Sequence, residues 1–354
     1  MDMVYQQSNH HKGIRELVLN WLRLTDKTQI KVYHGYGHEM QMTIYGHVLK
    51  FSPLPRTHYS QNILINTFSL LRMFMVKPYR KVRLRMEWEG KFYFTETDGD
   101  GFFRFEWKDE PPLPQGWHDV IVTMLNEQEE EITEGKGAIY IPYNTQYGFI
   151  SDIDDTFLIS HSSNLRKRLF VLFTRNARSR KPFEGSVKHY RLLANGNTTP
   201  DALNPFFYVS SSEWNLYDYI HEFTKVNKLP DGVFLLNMLK TFKQIFKTGQ
   251  NNHHTKFTRI VRILESYPRQ RFVLLGDSSQ QDPYIYASIV KHFPKQIHAV
   301  YIRDVYERNK TKVSDVLVEI ESAGVSCCFF KHSSEAIHHS KNIGLIHETE
   351  LKAG

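Results

Sequence analysis

The sequence predicts a two-part chain, a doubly wound, mainly parallel α/β sheet preceded by an all-β sandwich. Up to about residue 144, apolar residues recur with a period of two, as in half-buried antiparallel strands. Beyond it, short apolar runs alternate with stretches of helical periodicity, the pattern of a parallel sheet covered by helices. At the junction, Gly148-Phe149-Ile150-Ser151-Asp152-Ile153-Asp154-Asp155-Thr156 carries a short apolar strand into two acids at alternate positions. Side chains two apart on a strand share a face, so Asp152 and Asp154 are expected to face one pocket at the strand's carboxyl end, where open α/β sheets bind ligands. The expected divisions are an N-terminal helix over 1–27, the sandwich over 28–144 and the α/β domain over 145–354.

A chain of 354 residues, 41% hydrophobic and 23% charged, can bury a large core and is not a disordered composition. No basic-apolar-small signal pattern opens it, and no apolar run reaches the roughly 18 residues that a membrane span requires, which reads as a cytoplasmic protein. The net charge of +7 favours polyanionic partners: nucleic acid, anionic lipid or phosphorylated substrates. Cys327 and Cys328 are adjacent in a strand-like run, so they point to opposite faces, cannot bridge, and read as reduced core residues.

In the first part, Ile14, Leu17, Val18, Trp21 and Leu22 recur at helical spacing, and the preceding His10-His11 reads as a solvated terminus. Strands are expected around Ile30 and Val32, Met42 and Ile44, and Val82 to Trp88. Ile63 to Val76 reads as one apolar helix, with Phe68, Leu71 and Met75 in the core. Phe92 to Phe105 reads as two strands joined by an Asp/Gly turn. Asp98 and Asp100 lack the further acids of an EF-hand loop, which argues against calcium. The turn Thr97-Asp98-Gly99-Asp100-Gly101-Phe102-Phe103 resembles one common in transthyretin-like and immunoglobulin-like sandwiches. The acidic run 127–134, Gly135, Gly137 and Pro142 mark the change of domain, with Ala138 to Ile141 as a last strand.

In the second part the expected strands are 147–151, 205–209, 233–236, 271–275, 297–302 and 325–330. Three more signals sit at strand or helix ends. Phe206-Phe207-Tyr208-Val209 runs into Ser210-Ser211-Ser212, Lys256 opens a helix, and Phe272-Val273-Leu274-Leu275-Gly276 ends in Asp277 with Asp282 five positions on. Taken in order, Asp-x-Asp, Ser, Lys and Gly-Asp-x-x-x-x-Asp resemble the four motifs of the haloacid dehalogenase superfamily, whose catalytic domain has a Rossmann-like sheet.

A phosphate monoester repels nucleophiles, so its hydrolysis needs neutralising cations and a fixed in-line attacker. The resemblance implies that Asp152 is the nucleophile, forming an aspartyl-phosphate, and that Asp154 is the general acid and base, a role worth roughly 10²- to 10⁴-fold. Thr156 braces the loop. Ser210 and Lys256 hold phosphoryl oxygens, with Ser212 the competitor of Ser210, and Lys243 and Lys247 those of Lys256. Asp152, the carbonyl of Asp154, Asp277 and Asp282 supply the Mg²⁺ site, Asp282 alternatively orienting Lys256. Asp155 reads as a cap. His253-His254 reads as a loop at the helix start.

The resemblance narrows further. Ser151 to Thr156, Arg175-Asn176-Ala177, Pro182-Phe183-Glu184-Gly185, Tyr208 to Ser212 with Trp214-Asn215-Leu216-Tyr217, and Gly276-Asp277-Ser278 with Asp282-Pro283 are similar to the actin-patch-associated phosphatidate phosphatase family. It implies Mg²⁺-dependent conversion of phosphatidate to diacylglycerol and phosphate, with Arg175 and Ser212 among the substrate-binding residues. Glu213 departs from the family, which usually has proline there. The basic and apolar stretch 160–181 reads either as an insertion touching an anionic membrane peripherally or as the core of a small flap over the site. Two other readings stay open. One is a phosphomonoesterase acting on a nucleic-acid end, phosphoprotein or small molecule; the other is a binding module without turnover. Nucleic acid is disfavoured because no aromatic and basic groove is found. The partner of the sandwich is not indicated.

Overall fold

The structure is a computed structural model. It describes residues 21–38, 41–54, 71–108, 113–153, 182–241, 253–279 and 281–347, with positions 16, 17, 19, 62, 65, 68 and 69; the side chains of 253–255 are outside the description.

The N-terminal part is built from ten strands: β1 (Leu24–Thr25), β2 (Gln29–Val32), β3 (Gly35–His38), β4 (Gln41–Pro53), β5 (Lys77–Pro78), β6 (Arg83–Trp88), β7 (Lys91–Glu96), β8 (Phe102–Trp107), β9 (Gly116–Leu125) and β10 (Glu131–Ile141). They run in the order β1-β4-β3-β10-β9-β6-β7. All pairings are antiparallel except β3 with β10. The 13-residue β4 is the spine, pairing in turn with β1, β2, β3, β5 and β8. Alternation delivers the core: Met42, Ile44, Phe103 and Phe105 from β4 and β8 meet Leu84, Met86, Val120 and Val122 from β6 and β9.

Several local expectations change. Helical geometry is present at 16, 17, 19, 21 and 22, but Leu24–Thr25 then leaves the helix to pair with Ser52 and Pro53. The apolar helix over 63–76 stops early. A 3-10 turn spans Arg72–Phe74, Met75 and Val76 are not helical, and the side chain closed into the core is Phe74, while Phe68 is 41% exposed. Strands β7 and β8 are consecutive, yet β7 bonds to β6 and β8 to β4, so the Asp/Gly turn is a crossing and not a hairpin. Asp98 Oδ1 accepts the N–H groups of Asp100 and Phe102 at 2.8 and 2.9 Å, which explains the acid at that turn. The acidic run lies partly inside β10, which starts at Glu131, after a turn in which Asn126 Oδ1 accepts the N–H groups of Gln128 and Glu130.

The C-terminal part is a six-stranded sheet, β11 (Tyr147–Asp152), β12 (Phe206–Glu213), β13 (Gly232–Asn237), β14 (Arg271–Asp277), β15 (Ile297–Arg303) and β16 (Ser326–Phe330). Its order is β13-β12-β11-β14-β15-β16 and every pairing is parallel. Helices α1 (Ser186–Asn195), α2 (Tyr217–Val226), α3 (His253–Ser266), α4 (Asp282–His292), α5 (Lys310–Ser322) and α6 (Ser333–Asn342) follow the strands, as parallel crossovers require. Each expected strand is present, most of them a residue or more longer at the carboxyl end. All six residues of β11 are buried, as befits a central strand covered on both faces. Cys327 is half-buried, Cys328 is buried, and both are free thiols.

A second core, distinct from the one inside the N-terminal part, spans both parts. Tyr33 stacks on Trp214 with ring centroids 4.1 Å apart, Tyr36 meets Phe207 edge-on, and Tyr267 donates to the Gly37 carbonyl at 3.0 Å. Asn215 Nδ2 donates to the carbonyls of Met73 and Lys240, fastening the end of β12 to both parts.

Candidate active site

Strand order reverses between β11 and β14: the chain builds outward through β12 and β13, then returns to the other side of β11. At such a reversal the connections leave in opposite directions and open a crevice at the strands' carboxyl ends. Ser151 pairs with Leu275, so Asp152 and Asp277, the last residues of β11 and β14, end side by side at that crevice.

Two helix starts complete the cluster. Asp282 is the first residue of α4 and Lys256 lies in the first turn of α3. The positive helix end suits Asp282, with Pro283 preorganising the turn; it opposes Lys256, whose place must be secured by acids. Lys256 Nζ lies 2.9 Å from Asp152 Oδ1 and also donates to Asp282 Oδ1. Burial alone would lower the Lys256 pKa, but the charges of Asp152 and Asp282 outweigh it and hold the ammonium above its usual range. Asp152, Asp277 and Asp282 are fully buried and Lys256 is 3% exposed.

Gly276 is required by this packing. A Cβ there would lie 2.7 Å from Asp282 Oδ2 and 2.8 Å from a ring carbon of Tyr286. The absent side chain lets the Asp282 carboxylate lie over the strand, its Oδ2 accepting the Asp277 N–H at 3.4 Å. Tyr286 is held in turn by donating to the Leu275 carbonyl.

Ser210 and Ser212 stand at the end of β12, both buried, and the Ser212 N–H donates to Ser210 Oγ at 2.9 Å. The next residue, Glu213, pairs with Asn237 of β13 and forms a 2.7 Å ion pair with Lys240. The acid is thus matched by a cation from the neighbouring strand's loop.

The structure therefore brings together Asp152, Asp277, Asp282 and Lys256, and sets Ser210 and Ser212 on the adjacent strand. Asp154, Asp155, Thr156, Arg175, the 160–181 stretch, Lys243 and Lys247 lie outside the described residues. His253 and His254 fall within α3 and not in a loop.

Arg303 was not singled out in the sequence. It ends β15 in register with Asp277, lies between the rings of Phe183 and Phe330, and donates to Ser333 Oγ at 2.9 Å. Phe183 belongs to the Pro-Phe-x-Gly run, so this cation fixes where the chain rejoins the sheet. Gly185 takes φ +72 there, against Ser333. The only available signal was an arginine closing an apolar strand.

The three carboxylates form the one such group able to offer three ligand atoms within 4.8 Å of one another among the described residues. Their chemistry fits Mg²⁺: three carboxylates offering hard oxygen ligands, fully buried and close together. A larger cavity of about 470 Å³ lies away from them, between the two parts, lined by Tyr33, Arg72, Met73, Trp214 and Leu239 among others.

Fold and site define an α/β domain with a carboxylate–lysine centre at the switch point of a parallel sheet. Residues 147–304 match the model of the phosphatidate phosphatase APP1 catalytic domain. The chain is 30% identical over 193 residues to phosphatidate phosphatase APP1 of Saccharomyces cerevisiae, covering 54% of this chain and 31% of that protein. It is 25% identical over 158 residues to an uncharacterized protein of Schizosaccharomyces pombe, covering 44% and 25%. The chain thus spans about a third or less of the length of these relatives. Among solved structures, a carbohydrate acetylesterase from Xanthomonas citri is similar at 6% identity and a TM-score of 0.30, over 87% of this chain and 72% of that one; no argument rests on it.

Proposed function

We propose that this chain is a Mg²⁺-dependent phosphatidate phosphatase that hydrolyses phosphatidate to diacylglycerol and phosphate through an aspartyl-phosphate on Asp152. The observation that carries the reading is the Lys256 ammonium held between Asp152 and Asp282, beside Asp277, at the point where strand order reverses. The family match of the segment containing it supports the reaction class.

In this reading Asp152 attacks phosphorus in line and the diacylglycerol oxygen leaves, protonated by Asp154. Water, deprotonated by Asp154, then attacks the aspartyl-phosphate and releases phosphate with the Asp152 carboxylate restored. Lys256 and the Ser210 hydroxyl hold the phosphoryl oxygens, Asp282 fixes Lys256, and Ser212 and Arg175 bind the rest of the phosphate group. Asp152, Asp277, the Asp154 carbonyl and the Asp282 carboxylate would hold Mg²⁺, which when bound would supply positive charge to neutralise the phosphoryl group. Thr156 braces the nucleophile loop.

The catalytic domain in this reading is haloacid dehalogenase-like, spanning 145–354, and the ten strands before it form a transthyretin- or immunoglobulin-like sandwich. The strand order with Asp152 on the central strand supports the first assignment. No helix among the described residues is long and apolar enough to cross a membrane. In this reading the lipid is reached peripherally at an anionic surface, in the cytoplasm.

The test is phosphate release from phosphatidate in mixed micelles with and without Mg²⁺, for wild type and Asp152→Asn, with a soluble phosphomonoester as control. Mg²⁺-dependent lipid turnover, lost in the variant and well above the control, is expected. Turnover of the soluble ester alone would remove the lipid and keep the chemistry.

A further inference from the structure

Lys256 and Arg259 are three residues apart on α3, so their side chains leave neighbouring points of one helix face. They reach different strands. Lys256 turns toward the ends of β11 and α4, where its acids lie. Arg259 turns toward the ends of β12 and β13: Nη1 donates to the Ser210 carbonyl at 2.8 Å and Nη2 to Asn237 Oδ1 at 3.2 Å.

Both acceptors belong to the edge of the site. Ser210 offers its hydroxyl on the same residue whose carbonyl Arg259 holds. Asn237 ends β13, pairs with Glu213, and also accepts the Met238 N–H at 2.9 Å. A planar guanidinium presents its donors in a fixed fork, so two acceptors on different strands fix the helix in position and rotation together. With Tyr45, Trp214, Leu235 and Arg262 it lines a small pocket, and burial lowers its pKa to about 10, which leaves it charged at neutral pH.

We infer that Arg259 is a positioning residue that sets the distance between the Ser210 hydroxyl and the Lys256 ammonium. The inference rests on the reading of these two groups as the phosphoryl clamp. A clamp accelerates reaction only while its donors are held where the transition-state oxygens will be. Through its bonds to the Ser210 carbonyl and Asn237 Oδ1, Arg259 acts on the strand and the helix that carry the clamp.

The test compares wild type, Arg259→Met, Arg259→Lys and Asn237→Ala by steady-state kinetics on phosphatidate and a soluble phosphomonoester, with melting temperature and calorimetric binding of orthovanadate in Mg²⁺. Arg259→Met is expected to lower kcat about 10- to 100-fold with KM changed less than about 3-fold, and to weaken orthovanadate binding about tenfold or more. Arg259→Lys, which keeps one donor, and Asn237→Ala, which removes one acceptor, should fall between. A lower melting temperature in Arg259→Met, with kcat and orthovanadate affinity both within twofold of wild type, would overturn the positioning role. Wild type silent on both esters, yet binding orthovanadate at least tenfold tighter than Arg259→Met, would defeat the phosphatase reading and uphold the positioning one. Equal orthovanadate affinity in the two proteins, or none in either, would defeat the positioning role whatever the turnover.

Discussion

Lys256 Nζ lies 2.9 Å from Asp152 Oδ1 in a site closed to solvent, and the same ammonium donates to Asp282. One cation joins the end of the central strand to the first turn of α4. Its loss would leave three buried carboxylates facing one another.

Lys256→Met is therefore expected to lower phosphatase activity about 10²- to 10³-fold. It should also destabilise the fold by about 3–5 kcal/mol in a chelator, because removing the cation of a buried ion pair is strongly unfavourable. Added Mg²⁺ should restore part of the stability and little of the activity. Thermal unfolding with and without Mg²⁺ checks this; a melting point indifferent to both the substitution and the metal would contradict it.

Gly276→Ala places a methyl group against the Asp282 carboxylate and the Tyr286 ring, at 2.7 and 2.8 Å. Both neighbours are held, so the site must shift. Urea unfolding should show a loss of about 1–3 kcal/mol, and activity should fall with it as Asp282 moves from Lys256. Wild-type behaviour in both measurements would show that Asp282 yields freely.

Tyr33→Ala removes a ring stacked on Trp214 and leaves a void in the core common to both parts. A loss of about 3–5 kcal/mol is expected. Because this cluster takes side chains from both parts, intrinsic fluorescence and far-ultraviolet circular dichroism should follow one transition in wild type and variant alike. Two separate transitions would mean that the parts fold independently.

Burial lowers the pKa of His189 and of His47 to about 3. Their unfolded values lie near 6.5, so between these limits the unfolded chain binds more protons. The stability that comes from keeping them neutral is complete above about pH 6.5 and declines as the pH falls toward 3, by up to about 1.4 kcal/mol per pH unit for each histidine. His189 accepts or donates at Ser340 Oγ, 2.8 Å away, a contact glutamine can replace. The urea midpoint of His189→Gln should fall less than that of wild type between pH 7 and pH 5; equal falls would contradict the assignment.

Much of the second part was legible along the chain. Most of its strands contain a short apolar run, and a run of that kind reports burial on both faces. The acids and serines that close β11, β12 and β14 are read from the same local pattern. In the first part local signals misled where pairing overruled them. The turn after β7 has hairpin composition, but Phe103 and Phe105 are better buried when β8 pairs with β4, and the apolar stretch before β5 ends its helical geometry by Phe74.

By itself the sequence determined where the parallel strands of the second part lie and which chemical groups stand near their carboxyl ends, because apolar runs are properties of neighbours in the chain. Only the tertiary structure decided that β14 lies beside β11, that one ammonium spans Asp152 and Asp282, that Arg259 reaches Ser210, and that Tyr33 meets Trp214. These are contacts between segments far apart in sequence. They arise because strands far apart in sequence bury their apolar faces against one another, which local periodicity does not specify.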